Sequence, residues 1–128
     1  MSNWSNREEA MMKAAIWAAH QSIEPNRHGA ILAKRGHLCT YGWNKNKTHP
    51  AAVVYYSKCI HAELAAIIQL DNKDLSGLDI YVARIMRSKG EPLGMSRPCR
   101  VCMRMLTMAG IRRIYFTNKQ GEWAMEKA

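Results

Sequence analysis

The sequence predicts an α/β domain in which a mixed β-sheet is flanked by helices. In the second half of the chain, helix-patterned and strand-patterned segments alternate, which implies a parallel strand pair covered by helices. Near residue 30, two apolar runs flank Arg35-Gly36, the signature of a β-hairpin. The 128 residues, 48% of them apolar, suffice for one domain with a real core but not for two. No repeat, low-complexity tract or linker-like run divides residues 1–128.

The elements follow in order. Ser5-Asn6-Arg7-Glu8 reads as a capping box opening a helix that runs to about Gln21, with Met11, Ala14, Ala15 and Ala18 at helical spacing. Pro25 ends that stretch. Residues 29–34 and 37–41 form the hairpin, and a polar loop, residues 43–50, follows. Residues 51–58 carry no decisive pattern. A second helix extends from Ile60 to about Leu70, with Asp71-Asn72 and Gly77 marking its end and the connection beyond. Residues 79–84 look like a strand, and 88–95 form a loop rich in turn formers. Pro98 sits where a helix's first residue tolerates proline, and that helix runs to Ala109 and stops at Gly110. Residues 111–117 close as a strand. The predicted order is α-β-β-α-β-α-β.

Lys plus Arg number 19 against 10 Asp plus Glu, a formal charge of +9 that favours anionic partners such as nucleotides, nucleic acid or acidic surfaces. No apolar run approaches the ~18 residues of a membrane span. The N-terminus has no apolar signal core, so the expectation is a cytoplasmic protein with no membrane partner. Cys39 and Cys59 stand alone and read as small buried apolar residues; Cys99 and Cys102 form a C-x-x-C pair. In a reducing compartment that spacing signals metal binding or redox chemistry more than a structural disulfide.

Two segments bear on the choice. His61-Ala62-Glu63 opens one helix, and Pro98-Cys99-Arg100-Val101-Cys102 opens another. Residues i and i+3 share a helix face, so Cys99 and Cys102 can grip one metal. With His61 they supply three ligands and leave a tetrahedral position open, which suits a catalytic zinc better than a closed structural one. Two thiolates and a neutral imidazole balance the zinc charge, and helix N-termini favour thiolates. His61 and Glu63 would point apart on a regular helix; both can serve one site if His61 stands at the very end and the metal lies below the first turn. Coordination lowers a water's pKa from ~15.7 towards ~7, and Glu63 could then take a proton from it and return it to the substrate.

H-x-E…P-C-x-x-C is the signature of zinc nucleobase deaminases. Over roughly residues 27–117 the chain resembles the cytidine/deoxycytidylate deaminase superfamily. Arg27-His28-Gly29-Ala30-Ile31-Leu32 looks like that family's first strand, and Gly42-Trp43-Asn44 is similar to its substrate-binding asparagine turn, also found in tRNA adenosine deaminases. His61-Ala62-Glu63-Leu64 and Ser96-Arg97-Pro98-Cys99 are close to the deoxycytidylate form, and Lys47-Thr48-His49-Pro50 matches a loop of small phage-type members. The resemblance implies a three-layer cytidine-deaminase-like fold, zinc on His61, Cys99 and Cys102, and Glu63 as the catalytic proton shuttle. It also implies that Asn44 binds the sugar or base edge and that the backbone around Ala62 and Ser96 reads the pyrimidine. Arg27, Lys45, Lys47 and His49 are candidates for phosphate contact. Ala65 departs from the pattern, since many deoxycytidylate relatives carry Asn there. The insertion that carries an allosteric nucleotide site in longer members has little room here, so triphosphate feedback is not expected.

Three functions follow from these motifs. The first is hydrolytic deamination of cytosine to uracil in a free pyrimidine nucleotide, dCMP or CMP, with water attacking C4. The second is deamination within a polynucleotide, of cytosine in single-stranded DNA or adenine in tRNA. The third is a zinc-stabilised module without turnover. The charge suits either anion, and Trp43, Tyr55 and Tyr56 could stack on either substrate. The family branch favours the free nucleotide. Relatives assemble into dimers or hexamers, which implies a homo-oligomer; Met103, Met105 and Met108 read as core or as an oligomer face.

Overall fold

Ser5 folds as its sequence context dictates. Its hydroxyl accepts from the Glu8 N–H (3.1 Å) and its own N–H donates to the Glu8 carboxylate (2.8 Å), so two donors of the first helical turn are satisfied reciprocally. This capping box opens α1 (Asn6–His20) in the computed structural model, which describes residues 4–45, 61–71, 74–88 and 90–128. The other elements among the described residues are β1 (Arg27–Lys34), β2 (His37–Trp43), α2 (Ala62–Ile68), β3 (Leu78–Ile85), α3 (Arg100–Met108), β4 (Arg113–Thr117) and β5 (Trp123–Lys127).

The strands form one sheet in the order β2-β1-β3-β4-β5. Only β3 and β4 run parallel; the remaining pairs are antiparallel, so the sheet is mixed as expected. Both faces of β1 are buried. Ile31 and Ala33 face α1 together with Tyr81, Ala83 and Tyr115, against Met12 and Ala15. Ala30 and Leu32 face the opposite side with Ile80, Val82, Ile114 and Phe116, against residues of α2 and α3. The period-2 alternation thus sorts one apolar strand between two cores, giving three layers. α1 approaches β1 so closely that a Cβ at Gly29 would lie 2.2 Å from the Ala19 nitrogen and 2.3 Å from the Ala15 oxygen. Only glycine permits that contact. Arg35 and Gly36 both take positive φ, +53° and +77°, matching the two-residue hairpin turn whose twist suits the flanking strands.

Several expectations need correction. β5 was not legible: residues 123–127 pair antiparallel with β4 at the sheet edge, after a turn in which the Asn118 side chain accepts from the N–H groups of Gln120 and Glu122. α2 is shorter than residues 60–70, and Pro98 lies before α3, whose N-cap is Cys99. Cys39 is exposed, not buried. Leu32 pairs with Thr40 and Ala33 with Leu38, so Cys39 is the extra residue of a β-bulge, left unpaired and turned outward. Met105 is core and Met103 packs against it, but Met108 is 77% exposed. The helical face of α1 is centred on Met12, Ala15, Ala18 and Ala19, with Met11 and Ala14 at its margin. Residues 51–58, with Tyr55 and Tyr56, lie outside the described residues, as do Lys47, His49 and Cys59. Among the described residues no helix is long and apolar enough to cross a membrane.

Candidate active site and metal centre

The two motif-bearing helices begin with extended residues, not helical ones. His61 is the N-cap of α2 (φ −75°, ψ 158°) and Cys99 the N-cap of α3 (φ −64°, ψ 167°), and neither side chain caps its helix. Imidazole and thiol are poor substitutes for the usual hydroxyl or carboxylate caps, so the backbone starts the helix while the side chain turns elsewhere. Both turn to one point. The His61 Nδ1 lies 3.7 Å from the Cys102 Sγ and 3.9 Å from the Cys99 Sγ. All three ligand atoms lie within 4.8 Å of one another.

These separations fit zinc. Zn–N of ~2.0 Å and Zn–S of ~2.3 Å at a tetrahedral angle place N and S about 3.6 Å apart. Burial lowers the His61 pKa, which keeps the imidazole neutral and able to donate its lone pair. Three protein ligands leave one position for water or substrate, so His61, Cys99 and Cys102 would hold a catalytic zinc rather than a closed one.

Glu63 stands at the second helical position of α2, 5% exposed, among Ala62, Leu64, Ala65 and Ala66. Displacing His61 to the N-cap resolves the apparent conflict of the H-x-E spacing: both side chains reach one cavity because His61 is outside the helix. Burial pushes the Glu63 carboxyl up to about 7, although its own backbone N–H and the Cys102 thiol pull it down. A carboxyl in that range can accept and return a proton near neutrality.

Glu63, His61 and Cys99 open into a pocket of about 390 Å³ that Ala62, Ser96 and Asn44 also line. Asn44 is held at both ends of its amide: Oδ1 accepts from the His28 N–H (2.9 Å), and Nδ2 donates to the Asn26 carbonyl. The backbone N–H of Asn44 returns a bond to the His28 carbonyl at 3.2 Å. Ser96 is buried and its hydroxyl bridges strands, donating to the Val82 carbonyl and accepting from the Thr117 N–H, each at 2.7 Å. Its N–H goes to the Thr117 carbonyl.

The other expected contacts are placed differently. Arg27 does not line the pocket; its guanidinium pairs with Glu91 at 2.5 Å. Lys45 does line it, with its ammonium 5.1 Å above the Trp43 ring. Lys47 and His49 fall outside the described residues. Sequence reasoning missed Glu24, Asn26 and His28 on the opposite wall. Burial lowers the His28 pKa to about 4, helped by Arg84 and His61 and opposed by the Asn26 backbone, which favours a neutral ring at this position. Arg87 holds the wall in place, donating to the carbonyls of Glu24 (2.8 Å) and Pro25 (3.0 Å). Glu24, Asn26 and His28 share one short segment leading into β1, and only the fold brings that segment beside His61 and Glu63. Arg97, also on the pocket, makes a two-pronged pair with Glu126 of β5 at 3.0 and 3.1 Å, so the edge strand supports the rim.

Similarity to known proteins agrees with this geometry. A cytidine deaminase from Burkholderia pseudomallei superposes with a TM-score of 0.69 at 20% identity, over 97% of this chain and 93% of that one. The dCMP deaminase of cyanophage S-TIM5 gives 0.63 at 23% identity, over 87% and 82%. A tRNA:A34 deaminase acting in A-to-I editing gives 0.57 at 27%, over 87% and 76%. No protein of curated function matches the sequence. The family described as the cytidine and deoxycytidylate deaminase zinc-binding region matches residues 5–118. A match over most of the chain, with His61, Cys99 and Cys102 converging where a metal could be held, leads to one conclusion: this chain belongs to the zinc-binding cytidine and deoxycytidylate deaminase family.

Proposed function

We propose that the chain hydrolyses the exocyclic amine of cytosine in a free nucleotide, dCMP or CMP, releasing uracil nucleotide and ammonia. The observation that carries this is a three-ligand metal site beside a buried Glu63, opening into a pocket of about 390 Å³ with cationic side chains on its lining. The volume is that of a small-ligand site. A cyanophage S-TIM5 dCMP deaminase of the same fold binds dCMP and dUMP, at 21% identity and a TM-score of 0.64, which supports the nucleotide reading by analogy.

Zinc, when bound, supplies the Lewis acidity that makes water nucleophilic near neutral pH. The protein's part is to position and to move protons. Oxygen of the water bonds to C4 of the ring, and the bond from C4 to the amine nitrogen breaks. Glu63 takes one water proton and delivers it to the ring nitrogen, then takes the second from the hydroxyl now on C4 and delivers it to the amine, which leaves as ammonia while the C4 oxygen becomes the uracil carbonyl. Asn44 retains one lone pair on Oδ1 and one N–H beyond the bonds that fix it, enough to engage a sugar hydroxyl. The Ser96 N–H is engaged by Thr117, so the base edge falls to the Ser96 carbonyl and the start of α2 at Ala62. Lys45 and Arg97 are the cations on the lining and take the phosphate role.

A deamination screen tests this. With zinc-loaded protein, dCMP or CMP should turn over much faster than deoxycytidine or a cytosine oligonucleotide. Turnover of the oligonucleotide alone would replace the proposal with polynucleotide deamination. Failure of every substrate with full zinc occupancy would reduce the chain to a binding module.

A further inference from the structure

The end of the sheet away from the pocket carries a second cleft. The catalytic pocket takes residues from the start of β1 and the segment after β2, while the turn Arg35-Gly36, the first residues of β3 and the first residues of β4 lie at the opposite end. There a cleft of about 230 Å³ gathers Arg7 of α1, Arg35 of the hairpin turn, and Arg112 and Arg113 at the start of β4. We infer that this cleft is a binding site for a phosphate group.

Charge accounting supports it. Four guanidinium groups from three segments far apart in sequence line the cleft, against two carboxylates, Glu8 and Asp79. Asp79 is committed to Arg112 by a bidentate pair at 2.9 and 2.7 Å. Glu8 accepts from the Tyr115 hydroxyl at 2.6 Å and from the Ser5 N–H at 2.8 Å. Arg7, Arg35 and Arg113 are left facing one carboxylate. Cations held together in this way repel one another, and a bound anion relieves that repulsion.

The side chains are also arranged, not merely adjacent. The Arg7 stem lies over Gly36, where an added Cβ would meet its Cδ at 2.7 Å, and its guanidinium donates to the Arg35 carbonyl at 3.3 Å. Arg35 takes φ +53°, a conformation that asparagine or glycine adopts more readily than a long cationic side chain. Turn geometry therefore gives no reason for arginine at this position. Beneath them Tyr81 and Tyr115 stack at 4.1 Å and 9°, a rigid floor that Trp4 packs edge-on. The Glu8 N–H of the first helical turn is already taken by Ser5, so recognition rests on guanidinium forks, which match phosphate oxygens in pairs. Free phosphates and a nucleic-acid strand present the same chemistry.

Calorimetric titration of the full chain with inorganic phosphate and pyrophosphate, at ionic strength fixed with sodium chloride, tests this independently of deamination. Wild type should bind, with a rise in thermal midpoint. Arg35→Asn, which suits the turn and should fold at least as stably, should bind about ten-fold or more weakly, the loss expected for a charged hydrogen bond. Arg113→Gln should do the same, whereas Glu63→Gln should leave binding unchanged. Tighter binding of a thymidine oligonucleotide than of pyrophosphate, sensitive to the same two arginines, would assign the cleft to a strand; the reverse would assign it to free phosphates. No binding above the chloride control, or binding that Arg35→Asn and Arg113→Gln both leave intact, overturns the inference.

Discussion

Glu63 is a carboxylate placed where carboxylates rarely go, buried in the first turn of α2 two residues from His61. Its proposed role requires charge exchange and not bulk, so Glu63→Gln should keep the fold and the zinc while deamination falls by ~10²–10⁴-fold. Metal analysis beside steady-state kinetics reads both; loss of zinc would make Glu63 a ligand instead. Lys45→Ala should raise KM for dCMP about ten- to a hundred-fold more than for deoxycytidine, since only the nucleotide loses a charge-assisted bond. An equal rise for both substrates would remove Lys45 from the phosphate site. The convergence of His61, Cys99 and Cys102 is the most legible part of the candidate site, because metal ligation restricts residue type and spacing together. Asn44 lines the pocket, and its amide clasps two backbone groups at residues 26 and 28, a scaffold role that no local pattern announces.

Among the elements, α1 shows how far short-range rules reach. Its capping box was readable because both partners lie within four residues, and Ser5→Ala should lower stability by ~1 kcal/mol in urea unfolding. Burial pushes the Glu8 carboxyl up, but Ser5, the Tyr115 hydroxyl and Arg113 outweigh it and hold it below its ordinary value. A depressed carboxyl stabilises the fold fully above its unfolded pKa, ~4.3, and loses that contribution as pH falls further. Glu8→Gln should therefore flatten part of the acid limb of the stability curve. Gly29 marks the limit of such rules. Nothing nearby in sequence says that α1 backbone will lie against it, yet Gly29→Ala should destabilise by ~2–3 kcal/mol or more, because backbone cannot yield as a side chain can. β5 escaped notice for a related reason: it is an edge strand of mixed exposure whose partner, β4, supplies the register that its own residues do not encode.

At the scale of the whole molecule, the alternation that identified the fold class held because both faces of β1 and β3 are covered, and the parallel β3–β4 pair follows from the α3 crossover. The candidate metal site brings the starts of α2 and α3 together, 38 residues apart between His61 and Cys99. Removing zinc with a chelator should lower the thermal midpoint, and Cys99→Ser should do so without chelator. The sheet order has a kinetic consequence as well. β1 must find β3 across some fifty residues, pairing Arg27 with Ile85 and Lys34 with Leu78, before β4 can join. Loop closure on that scale makes the transition state slow and dominated by distant contacts. Because the ligands come from two helices laid on that sheet, the ion has no preformed cage to enter until the strands have assembled. Zinc added during refolding should thus leave the main folding rate unchanged in stopped-flow fluorescence and slow unfolding instead, acting as a latch that closes after the structure has formed.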